Sequence, residues 1–270
     1  MKTLFTLVLL AITLDAFAQA ADTPQAASVA LPDTARQEVF RKNIVKMNLS
    51  ALAFNNYSLS YERSLTRKIS FVAGYRFMPE TGVSSIPLAE RAIDRFLEED
   101  DDVVDAMDRG TLANNTYTGE IRFYTGRKPG ASGFYLSLYG RYMNLKPTYS
   151  HDYDTGTRTY VLPFDGTLNG FGGGVMIGSQ WLIAKRVAFD WYILGGHYGK
   201  LKGKLSATAD LSTMAETERR GLEEDIEIAN DELNGKVSVA ATVTDKGVDV
   251  EGTAPFAGIR GLGFSLGIAF

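Results

Sequence analysis

The chain has 270 residues, of which 28 are basic and 32 acidic, a formal net charge of −4, and no cysteine. So mild a charge gives no reason to expect a nucleic-acid partner, and without thiols neither disulfides nor thiolate metal sites are available. Glycine (27), tyrosine (13) and phenylalanine (15) are abundant, and beyond the N-terminal segment no apolar run is long enough for a transmembrane helix.

In chain order, Met1-Lys2, the apolar run 4–14 and the small-residue sites Ala16-Phe17-Ala18 and Ala18-Gln19-Ala20 follow the order of a secretory signal peptide, so residues 1–20 are set apart from the fold. Residues 21–40 read as a polar, Ala- and Pro-containing periplasmic leader, and 41–270 carry the strands. Val45, Met47, Leu49, Ala51 and Ala53 alternate with polar residues, as do Tyr57, Leu59 and Tyr61, and then Ile69, Phe71, Ala73, Tyr75 and Phe77. The same period of two recurs around 116–123, around 134–142, in the glycine-filled stretch from about Thr159 to Ile177, around 187–193, and in the C-terminal Phe264, Leu266, Ile268 and Phe270. These make eight strands.

Period two fits both a soluble sandwich and a membrane barrel with its apolar face outward. Connection lengths favour the barrel. Short links at 65–68, 125–133 and 179–186, each carrying Lys or Arg, alternate with an Asn55-Asn56 turn and long segments at 79–113, 146–158 and 199–255. Turns at one end and loops at the other imply both chain ends on the periplasmic side, and put Phe270 on the lipid face. The long segments have patterns of their own: an amphipathic stripe of Leu88, Ala92 and Phe96 followed by an acidic run 98–102, a helix over 213–234 with Met214, Leu222, Ile226 and Leu233, and a hairpin of 237–239 with 248–250 around Asp245-Lys246-Gly247.

On the inward positions, Lys46, Arg76, Arg122 and Arg141 face Glu62, Glu120 and Asp190. Four cations against three anions point to a salt-bridged filling of a narrow barrel, because unpaired buried charge is costly; a charged pore lining would show an imbalance of sign. His151, beside Asp152 and Asp154, reads as a solvated loop residue rather than a metal ligand, and the acidic clusters 98–102 and 223–225 lack calcium-loop spacing. His197 falls in phase with Trp191 and Ile193 at the outer interface, with no G-x-S-x-G nucleophile to serve. No catalytic, cofactor or metal site is expected.

Arg41-Lys42-Asn43-Ile44, Tyr61-Glu62-Arg63-Ser64-Leu65, Gly119-Glu120-Ile121-Arg122-Phe123-Tyr124, Gly133-Phe134-Tyr135 and Tyr139-Gly140-Arg141-Tyr142 are motifs through which the chain resembles small outer-membrane β-barrel proteins of unknown function from Bacteroides-group bacteria. The resemblance implies a monomeric eight-stranded antiparallel transmembrane barrel, surrounded by outer-membrane lipid and lipopolysaccharide, with Phe270 as the signal read by the barrel-assembly machinery. Arg260 departs from the pattern: it shares the parity of Phe264, so it lies at the outer rim or marks a bulge. The expected role is structural or an extracellular interaction through the long loops. The alternatives are a narrow channel for small solutes and an outer-leaflet lipid-modifying enzyme.

Overall fold

The computed structural model describes residues 40–86, 109–228 and 236–270. The signal peptide, most of the leader, the helix and acidic run at 88–102, and the end of the 213–234 helix lie outside the described residues.

Period-two patterning gives an all-β chain. The strands are β1 (Asn43–Asn48), β2 (Tyr57–Ser64), β3 (Ile69–Gly82), β4 (Thr111–Tyr124), β5 (Gly133–Asp154), β6 (Thr159–Ile183), β7 (Val187–Thr208), β8 (Ser238–Thr244) and β9 (Gly247–Ala269). Two helices accompany them, α1 (Leu49–Leu52) and α2 (Glu216–Glu227). Every pairing is antiparallel, in the order β1-β2-β3-β4-β5-β6-β7-β9-β8, and β1 pairs with β9 through Ile44↔Ala269 to Asn48↔Ser265. The sheet therefore closes on itself as a ring. β8 stands outside the closure, pairing only with the first part of β9 from Thr244↔Gly247 to Ser238↔Thr253. It is one arm of the hairpin expected past the rim, and it makes the sheet nine-stranded.

Three expectations are corrected. The first strand does not run to Ala53: the Asn48 side chain accepts a hydrogen bond from the Ala51 amide (3.1 Å), and this cap turns the chain into α1. Of residues 146–158 only 155–158 form a connection, because β5 and β6 pair as far as Asp154↔Thr159. The expected 199–255 loop is likewise mostly strand, since β7 and β9 stay paired from Val187↔Ile268 to Thr208↔Gly247. At 25 residues, β6 is about 80 Å long at the usual rise per residue. One side of the ring thus rises as a tall wall of β5, β6, β7 and β9.

Beyond the ring, the wall and α2 enclose a core of their own. Tyr160, Leu162 and Phe164 of β6 and Val248 and Val250 of β9 pack with Leu211, Met214, Leu222 and Ile226. We call this part the hood. Glu218 accepts from the Ala215 amide (2.8 Å) at the α2 N-terminus. One turn apart on α2, Glu223 and Glu227 accept from the Val243 and Ala241 amides (2.8 and 3.0 Å), covering donors that an edge strand would otherwise present to another chain.

Candidate functional site: a buried ion network inside an apolar ring

Even-numbered residues of β1 to β4 and β6, and odd-numbered residues of β5, point into the ring. On β7 and β9 the phase changes part-way. β6 pairs Ile177↔Leu194 and then Gly178↔Tyr192, so Ile193 is an extra residue, and opposite it Leu262 has a φ of 22°. Inward positions on β9 switch from Phe256 and Arg260 to Gly263 and Ser265. Arg260 is therefore a bulge case, buried and inward. The same shift corrects His197: it is buried inside, with its Nδ1 3.2 Å from the Tyr139 hydroxyl and its ring 4.7 Å from that of Phe256.

Lys46 is the centre of the interior. Its ammonium group donates to Glu62 Oε2 (2.7 Å), Gln180 Oε1 (2.8 Å) and Asp190 Oδ2 (2.5 Å), which uses all three of its donors. Arg122 donates to Asp190 Oδ2 (2.6 Å) and to Glu120 Oε2 (2.8 Å), with its guanidinium 4.3 Å from the centre of the Tyr135 ring. The remaining carboxylate oxygens are also occupied. Tyr135 donates to Asp190 Oδ1 (2.9 Å), Tyr124 to Glu62 Oε1 (2.7 Å), Ser70 to the same Glu62 oxygen, and Arg260 to Glu120 Oε1 (3.4 Å). Every strand of the closed ring contributes a member, so the network ties the wall across its interior. Lys46, Glu62 and Gln180 are at most 1 % exposed. In so dry a place, paired charges are stable only when their other lone pairs and protons are also satisfied.

Of the residues expected in the interior, Lys46, Glu62, Glu120, Arg122 and Asp190 meet in this network. Arg76 and Arg141, with Arg122, Arg260, Thr116 and Thr118, line an adjacent cavity of about 50 Å³. That space has room for roughly three or four waters. Sequence reasoning missed Gln180, Ser70, Tyr124 and Tyr135, all of which keep the inward parity of their strands. Including Arg260, the described interior holds five cations and three carboxylates. On the hood side, Phe256 packs with Met143, Leu145, Leu168 and Leu201. Gly170 makes room for it, since a Cβ there would lie 2.8 Å from the Phe256 ring.

The outside of the ring has the opposite polarity. On β5 the outward residues from Phe134 to Tyr142 are Phe134, Leu136, Leu138, Gly140 and Tyr142, and on β6 those from Phe171 to Ile183 are equally free of charge. Leu138 is 49 % and Phe171 68 % exposed. These stretches run about 25–40 Å along the strands, which at the 35–45° tilt usual for closed barrels would rise about 20–30 Å. Toward the hood the outward face turns polar at Asn115, Asn144, Asn169, Lys200 and Lys202. Tyr75 and Tyr142 point their hydroxyls at that boundary, donating to Asn115 and Asn169 (2.7 Å each). Toward the turns, Trp181, Phe189, Trp191 and Phe264 stack in a chain, with Trp181 5.7 Å from Phe189 and Phe189 5.8 Å from Phe264. Phe270 is exposed, and its backbone exchanges hydrogen bonds with Asn43 (2.8 and 3.2 Å).

Among the described residues, no helix is long and apolar enough to cross a membrane, and no group of His, Cys, Asp and Glu is arranged to hold a metal ion. His151 lies on β5 in the hood, with its Nδ1 3.3 Å from the Tyr149 hydroxyl, and Asp152 pairs with Arg109 (2.6 Å). Comparison with protein-family models, curated proteins and solved structures finds none that matches the chain.

Proposed function

We propose that the chain is an integral outer-membrane protein, an eight-stranded β-barrel formed by β1 to β7 and β9, with a structural or extracellular-interaction role carried by the hood. One observation supports this above the rest: the ring is polar and ion-paired within, and apolar and uncharged over a membrane-sized stretch without. In water such a surface would be an aggregation hazard far larger than the patches soluble monomers expose. In lipid it is the favourable arrangement, and ring closure leaves no unpaired strand edge in hydrocarbon. Tyrosines bonded to asparagines at one border and stacked aromatics at the other suit the two lipid–water boundaries. In this reading lipid and lipopolysaccharide surround the belt, and the turns and both ends of the strand region face the periplasm.

A channel is the weaker reading, because the Lys46 network crosses the interior with almost no exposed atoms. The test is flotation of the refolded chain with phosphatidylcholine vesicles under alkaline carbonate wash. Recovery with the vesicles, in a compact form that heating converts to slower migration on gels, is expected. Recovery as a soluble monomer would refute the membrane assignment.

A further inference from the structure

The chain passes the turn end of the ring four times before its last strand, and each passage carries two adjacent cations. They are Arg41-Lys42 entering β1, Arg67-Lys68 between β2 and β3, Arg127-Lys128 between β4 and β5, and Lys185-Arg186 between β6 and β7. No carboxylate lies in any of the three turns or among residues 40–43. At the hood end the connections mix signs, as in Asp154 with Arg158 and Asp245 with Lys246. The basic rim is also fastened together. The Ser64 amide donates to the Lys42 carbonyl (2.7 Å), Gly130 to Arg67 (3.0 Å) and Ala269 to Arg186 (2.7 Å). Lys68 reaches across to the Gly126 carbonyl and to that of Lys128 (3.3 Å). The cations are thus held in a hoop rather than on loose tails. Immediately inside the hoop stand exposed apolar side chains: Leu65 (60 %), Ile183 (60 %) and Ile268 (66 %).

From this geometry we infer that the turn-end rim is a binding surface for the phosphates of anionic phospholipids in the leaflet it meets. The inference rests on the membrane reading above. Apolar side chains in the acyl region followed at once by paired cations place the charges at headgroup depth, and clusters of this size select anionic lipid. The exposed members (Lys42, Arg67, Arg127, Lys128, Lys185 and Arg186) encircle the rim, so the expected ligand is a shell of several lipids rather than one pocketed molecule.

The test reconstitutes the full chain into vesicles of phosphatidylcholine with a minor fraction of spin-labelled phosphatidylglycerol or, for reference, spin-labelled phosphatidylcholine. Electron spin resonance then measures which label is enriched at the protein. The native chain should prefer phosphatidylglycerol at low salt and lose the preference as salt rises. The Arg67→Gln/Arg127→Gln/Lys128→Gln variant should show a preference at least about fivefold lower, since a single cation near an anionic surface contributes about that factor. Lys200→Gln/Lys202→Gln, altered at the other border, should behave like the native chain. Entry into the vesicles with no preference, or a preference the triple variant keeps, overturns the inference and leaves the membrane reading standing. Loss of preference only in the Lys200/Lys202 variant also overturns it, by moving the contact to the other border. Tight binding of soluble heparin without lipid selectivity would assign the rim to a polyanion instead. Failure to enter vesicles at all would remove both readings.

Discussion

Lys46 ties three strands together through one group, because acceptors from β2, β6 and β7 converge on its ammonium. Lys46→Met would leave Glu62 and Asp190 buried with fewer partners. Losing one member of such a pair costs about 3–5 kcal/mol, so the urea midpoint of the vesicle-inserted protein should fall sharply, followed by Trp181 and Trp191 emission. Lys204→Met removes an ion pair with Glu251 whose side chains are 74 % and 64 % exposed. It should shift the midpoint little, by at most about 1 kcal/mol. Equal effects would mean that the interior is wet. A second residue-level outcome concerns Gly170, over which Phe256 packs. Gly170→Ala should cost about 1–3 kcal/mol by overpacking, and Phe256→Leu should recover part of that loss in the double variant.

Among the elements, β5 is the clearest case of one strand serving two settings. Between Phe134 and Tyr142 its outward residues are apolar; past Asn144 they include Lys146, Ser150 and Asp152. Leu138 lies midway along the apolar stretch, so Leu138→Arg should destabilise by about 2–4 kcal/mol if that face meets hydrocarbon, against a negligible change if it meets water. At the hood, Glu223→Ala/Glu227→Ala should expose the Ala241 and Val243 amides to rapid hydrogen exchange while the Lys46 layer keeps its protection. Much of this architecture is legible in the sequence, since alternation at Phe134, Leu136 and Leu138 marks a strand with one apolar face. The extensions are harder to read. Tyr149, His151 and Tyr153 keep the same alternation, but the outer face there is polar, and Tyr149 and Tyr153 pack against the hood core, which no local pattern announces. Two other features defeat periodicity for local reasons. Asn48 caps a helix although Leu49 and Ala51 continue the strand pattern, and one extra residue at Ile193 turns His197 from the outer face to the inner. The site was legible in its charges, through the parity of Lys46, Glu62, Glu120, Arg122 and Asp190. Its neutral members were not, because an inward Gln180 or Tyr135 looks like any other strand residue until a partner across the ring is known.

For the whole molecule, the network predicts a closed interior. In planar bilayers the protein should carry no steady current, and stable openings would mean that the Lys46 layer parts. The outer face of the ring is expected to lie in lipid. The chain has no cysteine, so single cysteines with spin labels can be placed one at a time along β5 at positions 135–146 and the protein reconstituted in phosphatidylcholine vesicles. Collisions with oxygen, which concentrates in hydrocarbon, are compared with collisions with a water-soluble nickel chelate. An alternation is expected, with oxygen contact at 136, 138 and 140 strongest near Leu138, poor access to either reagent at 137 and 139, and nickel contact rising from 144 onward. Free nickel access at 136, 138 and 140 would contradict it.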